Sequence, residues 1–77
     1  MLSDEAVQKA GRVLANRIRD AREAAGLSKN MLAQTAGVSV QTVSFIEEAV
    51  NSPSVSTLLR LSDALDVKPE VLLKGLV

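Results

Sequence analysis

Apolar residues recur along this chain at intervals of three and four, and no stretch alternates with period two for long enough to suggest a strand. Val7, Ala10, Leu14, Ile18, Ala21 and Ala25 fall on one stripe, which predicts a long amphipathic helix over about residues 4 to 25. Ser3 occupies its N-cap position, Asp4 and Glu5 suit the dipole of its first turn, and Gly26 stops it. Gly11 lies inside and costs about 1 kcal/mol relative to alanine. It marks residues 1–13 as an extension of the first helix, ahead of a domain at 14–77. Further on, Ser54 caps a helix over roughly 55 to 65, with Val55, Leu58, Leu59, Ser62 and Leu65 on one face and Leu61 on the shoulder. Pro69 opens a last short helix at a position where its missing N–H does no harm. Val71, Leu72 and Leu73 are expected to point back to the core, and Gly75 ends the segment.

Between these lie two short helices, over about 29 to 36 and 40 to 48, joined by one glycine. Ser28 caps the first, with Leu27 and Leu32 placed as a hydrophobic staple across its start. Ser39 caps the second, and Val38 and Val43 repeat the staple. Gly37 falls where the chain needs a left-handed residue to leave the first helix. Two capped segments in register around a single glycine have the layout of a helix-turn-helix, chiefly a device for laying a helix in the DNA major groove. The whole pattern predicts an all-α bundle of five helices whose first helix is extended.

Composition narrows the chemistry. At 77 residues the chain makes one small domain, and a domain of this size buries only about 60% of its unfolded surface, so close packing or dimerisation must help it. There is no cysteine and no histidine, which removes disulfides, thiolate chemistry and nearly every zinc site, and fits a reducing cytoplasm. No metal and no cofactor is implied. Apolar runs are too short for a membrane span, and Asp4 and Glu5 stand where a secretory signal would be positive. Net charge is zero, but residues 1–38 carry six basic and four acidic side chains against three and five in the remainder, so any positive lobe lies on the first half.

The stretch from Ile18 to Ser28 resembles the opening of the phage repressor/Cro (XRE) type of helix-turn-helix domain. The similarity continues through Leu32-Ala33, Ala36-Gly37-Val38-Ser39, Thr42-Val43-Ser44, Ile46-Glu47, Pro53-Ser54, Thr57-Leu58 and Leu65-Asp66-Val67. It implies a five-helix fold in which the second and third helices form the DNA-reading pair. It also implies an ion pair between Arg22 and Glu47, tying the first helix to the end of the third. A guanidinium and a carboxylate can share two parallel hydrogen bonds, which fixes an angle as well as a distance.

In such a fold the start of the third helix faces base edges, here Ser39, Val40, Gln41 and Thr42, with Ser44 and Phe45 one turn on. Gln41 can both donate to and accept from adenine, Thr42 and Ser44 can bond a base or a phosphate, and Val40 and Phe45 can pack on thymine methyls. Against this, a polar residue on a short helix is usually its wet face. Lys29, where family members often carry glutamine, is expected on a phosphate, as are Asn51 and Ser52 beside the start of the fourth helix. Two departures stand out. The third helix has no Arg or Lys and ends in Glu47-Glu48, and Ala49-Val50 replace the usual glycine and basic residue. Either the helix runs on to turn at Asn51, or Ala49 is strained.

Weak binding per subunit suits a homodimer on two half-sites, with Val71, Leu72, Leu73, Leu76 and Val77 as the partner surface. The sequence therefore points to a sequence-specific regulator of transcription, a dimeric repressor bound to double-stranded DNA. A protein-interaction module on the same scaffold, antitoxin-like or dependent on a protein partner, is the alternative, supported by zero net charge and the acid-rich second half. An enzyme is poorly supported without His, Cys or a glycine-rich phosphate loop.

Overall fold

The computed structural model describes residues 1–76 and consists of five helices: α1 (Asp4–Ala24), α2 (Lys29–Ala36), α3 (Val40–Glu47), α4 (Val55–Leu65) and α5 (Pro69–Leu73). Ser3, Ser28, Ser39 and Ser54 are the N-caps of the first four, and each hydroxyl accepts from the backbone N–H three residues on, at 3.0 to 3.1 Å. The four C-termini close alike. The N–H groups of Leu27, Val38, Val50 and Val67 reach back to the carbonyls of Arg22, Ala33, Phe45 and Ser62, across a left-handed residue at Gly26, Gly37, Ala49 and Asp66 respectively. In three of these closures the residue after the turn, Leu27, Val38 or Val67, also packs against the core. The fourth, Val50, stays exposed.

The core gathers Leu14 and Ile18 of α1, Leu32, Ala33 and Ala36 of α2, Val43 and Ile46 of α3, Leu58, Leu61 and Leu65 of α4, and Leu72 of α5. Ile18, Leu32 and Leu61 are fully enclosed, each contributing about 1.5–3 kcal/mol by leaving water. α2 packs on α3 and α4, while α1 runs across α3, α4 and α5. Twenty-one residues make α1 about 31 Å long, which accounts for most of the 37 Å length of a molecule only 20 to 22 Å across.

The buried faces differ in places from those read off the sequence. Along the first stripe, Val7 is exposed because the first turns of α1 project past the bundle, Ala25 is exposed as the C-cap beyond the helix end, and Ala15 is buried beside Leu14. On α4 the buried stripe is Leu58, Leu61, Ser62 and Leu65, so Leu61 is central rather than on the shoulder, and Val55 and Leu59 face solvent. In α5, Leu72 alone is buried; Val71 and Leu73 stay outside, since a five-residue helix presents one position to the core. The helix ends at Ala24 and Glu47 each fall one residue short of the expected limits, where the left-handed turns begin. Among the described residues no helix is long and apolar enough to cross a membrane.

Candidate nucleic-acid interface

The α2–turn–α3 unit is set by Gly37, whose φ of 74° ends α2, and by the burial of Leu32, Ala36, Val43 and Ile46 between the two helices and α4. With Val43 and Ile46 turned inward, the opposite side of α3 is left free. Val40 and Gln41 are exposed there, and Thr42, Ser44 and Phe45 are half-buried. Ser39 is exposed, but its hydroxyl is occupied as the N-cap and lies 2.8 Å from Thr42 Oγ1, so these two residues restrain each other. Phe45 lies outside the core cluster and, with Thr42, lines a groove of about 330 Å³ whose other wall is Asn51, Ser52 and Pro53. Lys29 is half-buried at the first position of α2, and Asn51 and Ser52 are exposed in the loop before α4. Lys29, Gln41 and the Asn51–Ser52 loop thus sit at the starts of α2 and α3 and ahead of α4, and the loop shares a groove with Thr42 and Phe45 of α3.

Behind this surface, α3 is locked to α1. Arg22 Nε donates to Glu47 Oε2 at 2.7 Å and Nη2 to Oε1 at 3.0 Å, while Nη1 donates to the carbonyl of Leu27 at 2.9 Å. Glu47 is nearly enclosed, with 2% of its side chain exposed. The hydrogen bond to Glu47 holds the Arg22 pKa above its ordinary value, against the opposing effect of desolvation. One fork therefore joins the end of α1, the start of the α2 approach and the end of α3. Among the described residues no buried side-chain nitrogen or oxygen lacks a partner.

At the other end, Val71 and Leu73 are exposed and Leu76 is half-buried against the core. Leu72 is 2% exposed and cannot serve a partner surface, because it fills the space between α1 and α4. Val77 lies outside the described residues. Two further arginines tie α1 to backbone carbonyls of other elements. Arg17 Nη1 donates to the carbonyls of Leu72 at 3.0 Å and Lys74 at 2.6 Å, fastening the end of α5 to α1. Arg19 Nη2 donates to Asn16 Oδ1 and, at 3.4 Å, to the carbonyl of Glu47. Backbone carbonyls are common to every residue, so no spacing of side chains foretells such bonds.

A family model described as helix-turn-helix matches residues 18–72. Among solved structures, the chain is similar to the restriction-modification controller protein C.AhdI from Aeromonas hydrophila, with 32% identity and a TM-score of 0.78. It is similar also to the P22 c2 repressor protein, solved in complex with synthetic operator 9T, with 35% identity and a TM-score of 0.75. Each comparison covers 80% of this chain and 94% of the other. The curated protein sequences contain no match.

Proposed function

The chain belongs to the phage repressor/Cro-type helix-turn-helix family, and on that premise we propose that it acts as a homodimeric, sequence-specific repressor reading a near-palindromic operator through the major groove. Membership makes it a DNA-binding regulator of transcription rather than an enzyme. The observation that carries the finer reading is the free side of α3: its inward residues are sealed in the core while Val40, Gln41, Thr42, Ser44 and Phe45 remain accessible on a fold shared with an operator-bound repressor. Gln41 reads a base edge, and Lys29, Asn51 and Ser52 hold phosphates. Residues 14–77 form the reading unit, residues 1–13 extend α1, and Val71 and Leu73 supply the exposed part of the dimer surface.

Selection from a random duplex pool at low salt tests this reading. Enrichment of a near-palindrome with half-sites about one helical turn apart is expected of a dimeric reader. A folded protein that enriches nothing would overturn it and favour the protein-interaction module, to which the exposed Val55 and Leu59 of α4 offer one apolar surface among those exposed.

A further inference from the structure

We propose that the cleft between the N-terminal extension of α1 and the loop after α3 is an additional DNA-backbone site, with Arg12 as its phosphate ligand; this rests on the DNA-binding reading above. The cleft, about 450 Å³, has Gln8, Gly11 and Arg12 on one wall and Val50, Asn51 and Ser52 on the other. Asn51 and Ser52 also wall the groove beside Thr42 and Phe45, so one loop separates the accessible side of α3 from the extension of α1. A nucleic-acid strand that passes the start of α3 and reaches this loop meets Arg12 next.

Four arginines lie on α1, and three are already engaged. Arg17 holds the C-terminal carbonyls, Arg19 holds Asn16 and the Glu47 carbonyl, and Arg22 holds Glu47 and Leu27. Arg12 is exposed and has no hydrogen bond or ion pair among the described residues. An uncommitted guanidinium beside a polar loop is suited to a phosphodiester, which it can bind through two N–H groups. Glu48 lines the same cleft and opposes an anion; Arg12 and Arg19 border the adjoining pocket with Glu47 and Glu48, and because Arg22 neutralises Glu47, two arginines face one carboxylate left without a cation. α3 itself has no basic residue, so these arginines of α1 replace charge that the reading helix lacks.

The local backbone agrees. Gly11 sits within α1 with no atom inside 4 Å of where a Cβ would stand, so the wall is left open. Ala49, in the opposite wall, is held left-handed. Local stability is forgone at both positions on one cleft, a pattern found where a surface serves binding rather than folding.

The test is titration of a fluorescent mixed-sequence duplex with the full chain, followed by anisotropy between about 50 and 200 mM salt. Arg12→Ala is expected to reduce the slope of log affinity against log salt by about 0.9, shrinking the affinity ratio across that range about 3.5-fold. Arg12→Lys, which keeps the charge, should restore most of the slope. Lys29→Ala is run beside them. If Lys29→Ala flattens the slope and Arg12→Ala leaves it unchanged, the cleft touches no phosphate and the proposal falls while the DNA reading stands. Absence of salt-dependent binding by the unaltered chain would overturn both.

Discussion

Alanine at position 49 and glycine at position 11 are each placed where the other would be the more stable choice. Ala49 has φ of 58°, which costs an L-residue about 1 kcal/mol, yet the Val50 N–H to Phe45 carbonyl bond of 2.9 Å that closes α3 requires that turn. Gly11 lies in regular helix with room for a methyl group. Ala49→Gly and Gly11→Ala should therefore each stabilise the chain by about 0.5–1 kcal/mol, seen as a higher urea midpoint with unchanged slope. The need for a left-handed residue at 49 was legible from the family pattern, whereas the choice between strain there and a turn at Asn51 depended on a backbone bond that the sequence does not encode. Gln41 differs in kind, since its accessibility follows directly from helical spacing against Val43 and Ile46. Replacing it by alanine should weaken a selected operator by about 1–3 kcal/mol and random duplex hardly at all, in paired binding titrations. Equal losses on both would remove it as a base reader.

Among elements, the fork of Arg22 sets how α3 is presented. Glu47 is buried and both its oxygens are used, so Glu47→Ala strands a guanidinium and frees the end of α3. A loss of about 3 kcal/mol in unfolding free energy is expected, larger than the pair's own net contribution. The joint replacement of Arg22 and Glu47 by apolar residues should cost less than the two single changes summed; strict additivity in a double-mutant cycle would refute the coupling. Helix existence and most limits were readable because four serine caps stand at the right offsets from apolar stripes. The rotation of α4 was not readable. Val55, Leu58, Leu59, Leu61 and Leu65 offer more apolar positions than one face can bury, and packing against α1, α2 and α5 selects Leu61 over Leu59.

Across the whole molecule, the C-terminal segment divides into a residue that holds the fold and residues left free. Leu72→Ala should destabilise the chain by about 2–5 kcal/mol, because it empties a filled core position. If the proposed dimer forms through this end, replacing exposed Val71 and Leu73 together by serine should leave the fold intact and shift sedimentation toward monomer. An unshifted dimer would place the partner surface elsewhere. The sequence identified this segment as apolar but not its division, since a five-residue helix is too short for periodicity to assign inside and outside. The unbroken course of α1 from Asp4 to Ala24 carries a different consequence. Its first turns are not a tethered arm that searches for a contact; their bearing is fixed by helical phase, about 100° for each residue. One alanine inserted between Val13 and Leu14 would swing Arg12 through that angle without altering any residue of the core. Seven would bring it back to within about 20° but carry it about 10.5 Å farther along the axis. The extension thus behaves as a ruler, and the spacing between its basic residue and Ile18 is itself a structural parameter, as open to selection as the identity of either residue.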